Sequence, residues 1–392
     1  MPPPPVPAPT SNTPPAAVGP LLLLSFLATF GTAVLWNGLA FVARDGYGFD
    51  ESWNLLLAIS NGGIYAIAAF ASAPILRRLS SRIAPRTVVA LVFLLQVLIC
   101  PAILISDSPV VLFVVAGAMS FLAAFFWPVI EAFVSAGRDP GAMRNAIGWW
   151  NTVWMLALGI SLILMAPLLA AGHAVWAIAS LGPINLACVI VLYLGVPARI
   201  AAHGERHPDH AAPVAYVDLL ASNRALLPLA YALIGALSPL MPYLLEDLAA
   251  PLAWQTPLVA TWMFARVAGI AILRRSSWWH GRWAATLLGG VLLVGGFVAV
   301  VAAPSIPLIV SALIVFGLGQ AVVYYAAMYY VMRVGDADID AASTHEGLIG
   351  VGYGIGPAAA LAGVVIGGGG AIIAASLTLP AITAWPAIRP YL

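Results

Sequence analysis

From residue 21 almost to the end of the chain, apolar runs alternate with short polar segments. A helix that crosses a bilayer needs about 20 mostly apolar residues. By that measure the chain holds twelve spans, at 21–42, 54–76, 87–106, 110–133, 147–169, 175–196, 225–245, 256–273, 283–302, 306–332, 343–366 and 369–388. The longest polar segment, residues 198–224, separates the sixth span from the seventh. The expected organisation is therefore a proline-rich tail over 1–20, a six-helix half over 21–197, a cytoplasmic linker over 198–224 and a second six-helix half over 225–392.

Composition supports this pattern. Only 8% of residues are charged and mean hydropathy is +1.00, where a soluble domain carries about 25% charge. The class is an all-α, multi-pass integral membrane protein. The net charge of +1 offers nothing to nucleic acid. Cys100 and Cys188 sit in apolar runs and read as small buried hydrophobes. His203, His207 and His210 of the linker have no metal-site spacing, so neither a metal nor a cofactor is expected. The uncharged tail lacks the basic start of a signal peptide.

The chain has no lysine, so arginine alone reports orientation. With a cytoplasmic N-terminus, Arg77, Arg78, Arg82, Arg86, Arg138, Arg144, Arg199, Arg206, Arg224, Arg274, Arg275, Arg282, Arg333 and Arg389 all fall in or beside inward-facing segments. Arg44 falls outside, with Asp45, Asp50, Asp107 and Glu246. This bias is the positive-inside rule. It predicts that both termini face the cytoplasm of an inner or plasma membrane. Arg266 alone lies near the middle of a span, too deep to snorkel easily.

Ile75-Leu76-Arg77-Arg78 after the second span is echoed by Ile272-Leu273-Arg274-Arg275 after the eighth. Repeats of this kind mark transporters built from two similar halves. Twelve spans, a central polar linker and the segment Arg77-Arg78-Leu79-Ser80-Ser81-Arg82-Ile83-Ala84-Pro85-Arg86 resemble the major facilitator superfamily. Leu79, Arg82 and Arg86 match the family's loop pattern. Arg77, Ser81 and Ala84 replace its first glycine, aspartate and second glycine, so the charge relay of that aspartate does not carry over. The resemblance implies two six-helix halves and alternating access. A glycine run, Gly350, Gly352, Gly354 and Gly356 before Pro357, occupies the eleventh span. It presents two small-residue faces to neighbouring helices.

Ionisable residues inside spans are costly and usually functional. Arg266 is the leading candidate, since a guanidinium holds a carboxylate or phosphate in a bidentate pair; a structural ion pair is the alternative. Trp262, Asn37, Asn151, Trp154, Gln320 and Tyr324 are expected around it as substrate-binding groups. Glu131, His345 and Glu346 are expected nearer the cytoplasmic face, as gating or proton-coupling groups, with Arg82 and Arg86 in the adjoining loop. Glu131 has the alternative of pairing with Arg138 or Arg144. No ATP-binding motif is present.

The function expected is a secondary active or facilitative transporter of a small organic solute, anionic or amphipathic in character, with protons as the candidate coupling ion. The alternatives are an integral-membrane enzyme and a non-transporting receptor or scaffold of the same fold. The expected partners are that solute and the lipid bilayer, with no nucleic acid and a monomeric state. Single cysteines at Ser81 and Asp107 should react with an impermeant maleimide from opposite sides of the membrane; reaction from one side would refute the topology.

Overall fold

The computed structural model describes residues 14–80, 82–201, 214–334 and 339–388. Within them, eleven helices are long and apolar enough to cross a membrane. They are α1 (Val18–Tyr47), α2 (Glu51–Leu79), α3 (Pro85–Leu104), α4 (Pro109–Ser135), α5 (Gly141–Ala170) and α6 (Trp176–Gly195), followed by α7 (Ala215–Asp247), α8 (Leu252–Arg275), α9 (Trp283–Val301), α10 (Ile306–Val331) and α11 (Ser343–Ile366). A twelfth helix, α12, spans Gly369–Ile388. Helices are the form that lets such a chain satisfy its backbone hydrogen bonds without water. The chain is a multi-pass integral membrane protein.

Two boundaries differ from the hydropathy pattern. α1 begins at Val18, inside the expected tail. α7 begins at Ala215, nine residues before the expected end of the linker at 224. Its first turns are amphipathic: Leu219 and Leu220 are buried, and buried Asn223 returns a hydrogen bond to the Leu219 carbonyl at 2.7 Å. A purely apolar window passes over such turns. Residues 1–13, Ser81, the linker histidines and the side chains of Arg144, Arg206, Arg333 and Arg389 lie outside the described residues.

Loop chemistry sets the helix ends. Asp139 caps α5, its Oδ1 accepting from the Gly141 and Ala142 amides, both at 2.9 Å. α1 ends where Gly48 takes the left-handed conformation at φ 67°. The interior of α1 is irregular, with a π-helical stretch over Val34–Gly38. Such stretches often mark functional positions, and this one carries Trp36 and Asn37.

The bundle is knit by two long helix pairs. α2 packs along α11, and α5 packs along α8. Advancing each helix number by six, cyclically, turns one pair into the other. Both faces of the α11 glycine run are in use. A Cβ on Gly350 would stand 2.7 Å from the Ala66 Cα of α2, and one on Gly352 would stand 2.5 Å from the Pro228 carbonyl oxygen of α7. Gly356 presses on the Ala232 carbonyl even more closely. Gly354 is different, with its nearest neighbour, the Gly63 nitrogen, at an ordinary 3.6 Å.

Overpacking a close contact costs about 1–3 kcal/mol. Gly356→Ala should therefore lower the melting temperature of purified protein by several degrees, and Gly354→Ala should leave it nearly unchanged. Fluorescence-monitored thermal unfolding in detergent makes the comparison.

Candidate functional site

The centre of the bundle is lined by aromatic rings that meet one another in sequence. Trp127 of α4 contacts Trp150 and Trp154 of α5, at 6.1 and 6.4 Å between centroids. Trp154 stacks on Tyr324 of α10 at 5.9 Å and 10°. Tyr324 meets Tyr231 of α7, and Tyr231 meets Tyr353 of α11 at 5.2 Å. Tyr353 stacks on Trp36 of α1 at 4.1 Å and 13°, and Trp36 meets Tyr65 of α2 edge-on at 5.3 Å. With Thr32, Glu346 and Ile349, these rings line a cavity of about 30 Å³. Helices from the first six and the last six share in the wall.

Arg266 of α8 stands behind this belt, 1% exposed. Its guanidinium lies over the Tyr324 ring at 4.1 Å and over the Trp154 ring at 5.3 Å, with the Tyr231 hydroxyl beside it. Desolvated cation–π contacts of this kind contribute about 2 kcal/mol or more. Nε and Nη2 have no hydrogen-bond partner. Among the described residues, no carboxylate lies within ion-pair distance of Arg266.

Two carboxyl groups stand close together on other helices, and one of them, Glu346, lines the cavity. Glu346 of α11 accepts a hydrogen bond from the Tyr65 hydroxyl of α2. Glu131 of α4 lies within hydrogen-bond reach of Glu346, and its Oε1 has no partner. Both are buried, at 6% and 7% exposed. A hydrogen bond between two carboxyl groups needs a proton on one of them. Next to Glu346, the His345 ring stands edge-on to Tyr324 at 5.8 Å, its Nε2 unpartnered.

These positions correct several sequence expectations. Glu346 lines the aromatic cavity with Glu131 in reach of it, and the helix that carries Glu346 begins at Ile339, ahead of the apolar span. Glu131 does not pair with Arg138, which donates to the carbonyls of Val134 and Ala16. Trp154 and Tyr324 touch Arg266 directly. Trp262, one turn before Arg266, packs edge-on against Phe316 of α10 at 6.0 Å and lines neither central cavity. Asn151 turns back to the Ile147 carbonyl at 3.0 Å, and Gln320 ties α10 to the Ala230 carbonyl of α7 at 2.8 Å. Each of these amides keeps an unpartnered oxygen. Asn37 accepts from Ser238 at 3.3 Å in a second cavity. Arg82 is exposed in the loop after α2, and Arg86 donates to the Val196 carbonyl at 2.9 Å and lies over Tyr193. Tyr231, Tyr353 and Trp36 were not among the expected site residues.

Polar contacts join the first six helices to the last six at both ends of this centre. At one end Arg44 donates to the Pro242 carbonyl at 2.6 Å, to Gln255 at 2.7 Å and to Glu246 at 3.3 Å, and pairs with Asp45 at 2.7 Å. At the other, Arg274 lies over the Trp149 ring at 4.7 Å, and Ser72 of α2 meets Ser343 of α11 at 3.0 Å.

Known proteins bear on this architecture. The model of the Major Facilitator Superfamily matches residues 21–361. No individual curated protein is significantly similar in sequence. Among solved structures, the chain superposes on a POT family transporter in complex with a thioalcohol-conjugated peptide, with a TM-score of 0.73 at 10% identity over 95% of this chain and 96% of that one. It superposes on the nucleoside transporter NupG with a TM-score of 0.67 at 14% identity, over 95% and 98%. The human organic anion transporter MFSD10 gives a TM-score of 0.65 at 14% identity, over 94% and 98%. At such identities the likeness is one of fold. The family match, which covers most of the chain, is the stronger finding: the chain belongs to the major facilitator superfamily and is a membrane transporter.

Proposed function

We propose that this transporter carries a small amphipathic organic anion, by alternating access between a half over 21–197 and a half over 225–392. The observation that carries this reading is Arg266, a buried guanidinium with two unpartnered nitrogens, no carboxylate at ion-pair distance among the described residues, and two rings and the Tyr231 hydroxyl of the cavity wall against it. A charge at such depth costs about 2.5–3.5 kcal/mol on insertion scales. The rings offset part of that, and an anionic solute drawn between them would supply the acceptors the protein does not. The belt suits an apolar or aromatic body. The similar folds belong to transporters of nucleosides and of organic anions, so fold does not choose the substrate and site chemistry must.

The carboxyl pair gives the anion a driving force. Glu131 and Glu346 hold one proton between them most easily, since two adjacent carboxylates repel. A change of packing along α2 and α11 that parts the pair would release that proton. Proton and anion would then travel together, and the alternating arginines would place the Arg44 end outside the cell. Closure at the two ends would be exchanged in each cycle: the Arg44 contacts on one side, the Arg274 and Ser72 contacts on the other.

Proteoliposomes loaded with labelled benzoate provide the test. Arg266→Ala should reduce benzoate flux to background while the protein stays monodisperse. Arg266→Lys should leave a small fraction of it, because a point charge does not reproduce the planar fork. Unchanged flux in Arg266→Ala would refute the anion site.

Proton coupling is tested separately. Glu346→Gln and Glu131→Gln should each abolish accumulation driven by a proton gradient and flatten the pH dependence of flux. Exchange of internal for external benzoate should continue in both. Loss of exchange and accumulation together would place the carboxyls in architecture and not in coupling.

A further inference from the structure

A second cavity lies on the far side of the Trp36–Tyr353 stack. Its volume is about 30 Å³, and the same two rings form its wall and that of the aromatic cavity. The stacked pair, 4.1 Å between centroids and nearly parallel, is the partition between them. The second chamber has a different chemistry, for among the described residues no acidic or basic one lines it. Its polar groups are Asn37, Asn54, Asn61 and Ser238.

Asn61 is the unusual one. It is 1% exposed, and neither its amide nitrogen nor its amide oxygen has a hydrogen-bond partner. A buried amide left in that state is destabilising, because its desolvation goes uncompensated. Its neighbours are largely committed: Asn54 donates to the Ala40 carbonyl at 3.1 Å and to the Tyr243 hydroxyl at 2.7 Å, keeping only a free oxygen. Asn61 and Tyr65 are one turn apart on α2 and point to one face. The former opens on this chamber and the latter on the aromatic cavity.

We propose that the chamber around Asn61 is a second subsite, which takes an uncharged hydrogen-bonding group such as a carboxamide. A carboxamide and the Asn61 side chain can each donate to and accept from the other, and the free Asn54 oxygen accepts a further N–H. A charged group is excluded, because nothing in the walls would neutralise it. This deepens the anion reading and rests on it for one end of the solute: the carboxylate on the Arg266 side, the neutral polar end on the Asn61 side, with the Trp36–Tyr353 pair parting to admit the chain between.

The probes are the monoamide of adipic acid and its analogue with an isopropyl group in place of the carboxamide. They share the carboxylate and the chain and match in the volume of the far end. Binding is measured by calorimetry on the purified full chain in nanodiscs. Wild-type protein should bind the monoamide about ten-fold more tightly than the analogue. Asn61→Leu, a near-isosteric change, should erase that preference and leave the analogue's affinity in place. Without ligand, Asn61→Leu should melt no lower than wild type, since it removes two orphaned polar atoms. Asn61→Ser should keep an intermediate preference, and it serves if the leucine variant does not fold. Equal affinities in wild type, a preference that survives in Asn61→Leu, or no binding of either probe would overturn the subsite, the chamber then holding only water. Arg266→Ala should weaken both probes alike; if it weakens neither while the Asn61 preference holds, the anion reading fails and the subsite stands.

Discussion

The interaction on which the site depends is a guanidinium held by ring faces where an ion pair would be expected. Arg266 gives up water for Tyr324, Trp154 and the Tyr231 hydroxyl. Aromatic faces attract a cation and leave its hydrogen-bonding edges open. An aspartate in the same place would neutralise the charge and close the site. The buried carboxyls Glu131 and Glu346 meet each other, and Glu346 meets Tyr65, on the α2, α4 and α11 side of the cavity, with the Glu131 Oε1 left unpartnered. Charge of both signs is thus present in one apolar centre, kept apart by the belt.

That separation requires the helices to approach closely and to hold their register. The α11 glycines let α2 and α7 come within backbone contact of α11 on two faces. This places Tyr65 against Glu346 and Tyr353 against Trp36. The π-helical stretch of α1 shifts Trp36 and Asn37 relative to a regular helix, so that one turn serves both cavities. Packing, electrostatics and the division of the cavity are linked through α11, which carries the glycines, Glu346 and Tyr353.

Much of the fold was legible in the sequence because bilayer physics leaves few choices. A run of about twenty apolar residues must be helical, and the helices follow the runs. The family was legible in the span count and the arginine-rich loop. Arg266 was legible because a charge amid apolar residues is conspicuous. Its surroundings were harder to read. Tyr231, Tyr353 and Trp36 sit in apolar runs, where an aromatic residue looks the same whether it faces lipid, core or cavity. Trp262 was expected beside the site from its spacing of one turn, but the contact with Phe316 drew it toward α10. Glu346 opens its apolar span because hydropathy windows stop at polar residues, whereas its helix begins earlier, at Ile339.

The account turns on whether the cavity selects for negative charge through Arg266. Benzoate and benzamide differ little in shape and differ in charge. Trp127, Trp150 and Trp154 line the cavity, so tryptophan fluorescence of the purified transporter can report occupancy. The account expects benzoate to perturb the emission at concentrations where benzamide does not, and expects Arg266→Ala to erase the difference. Equal responses to the two compounds in wild-type protein, or a preference for benzoate that persists in Arg266→Ala, would contradict it.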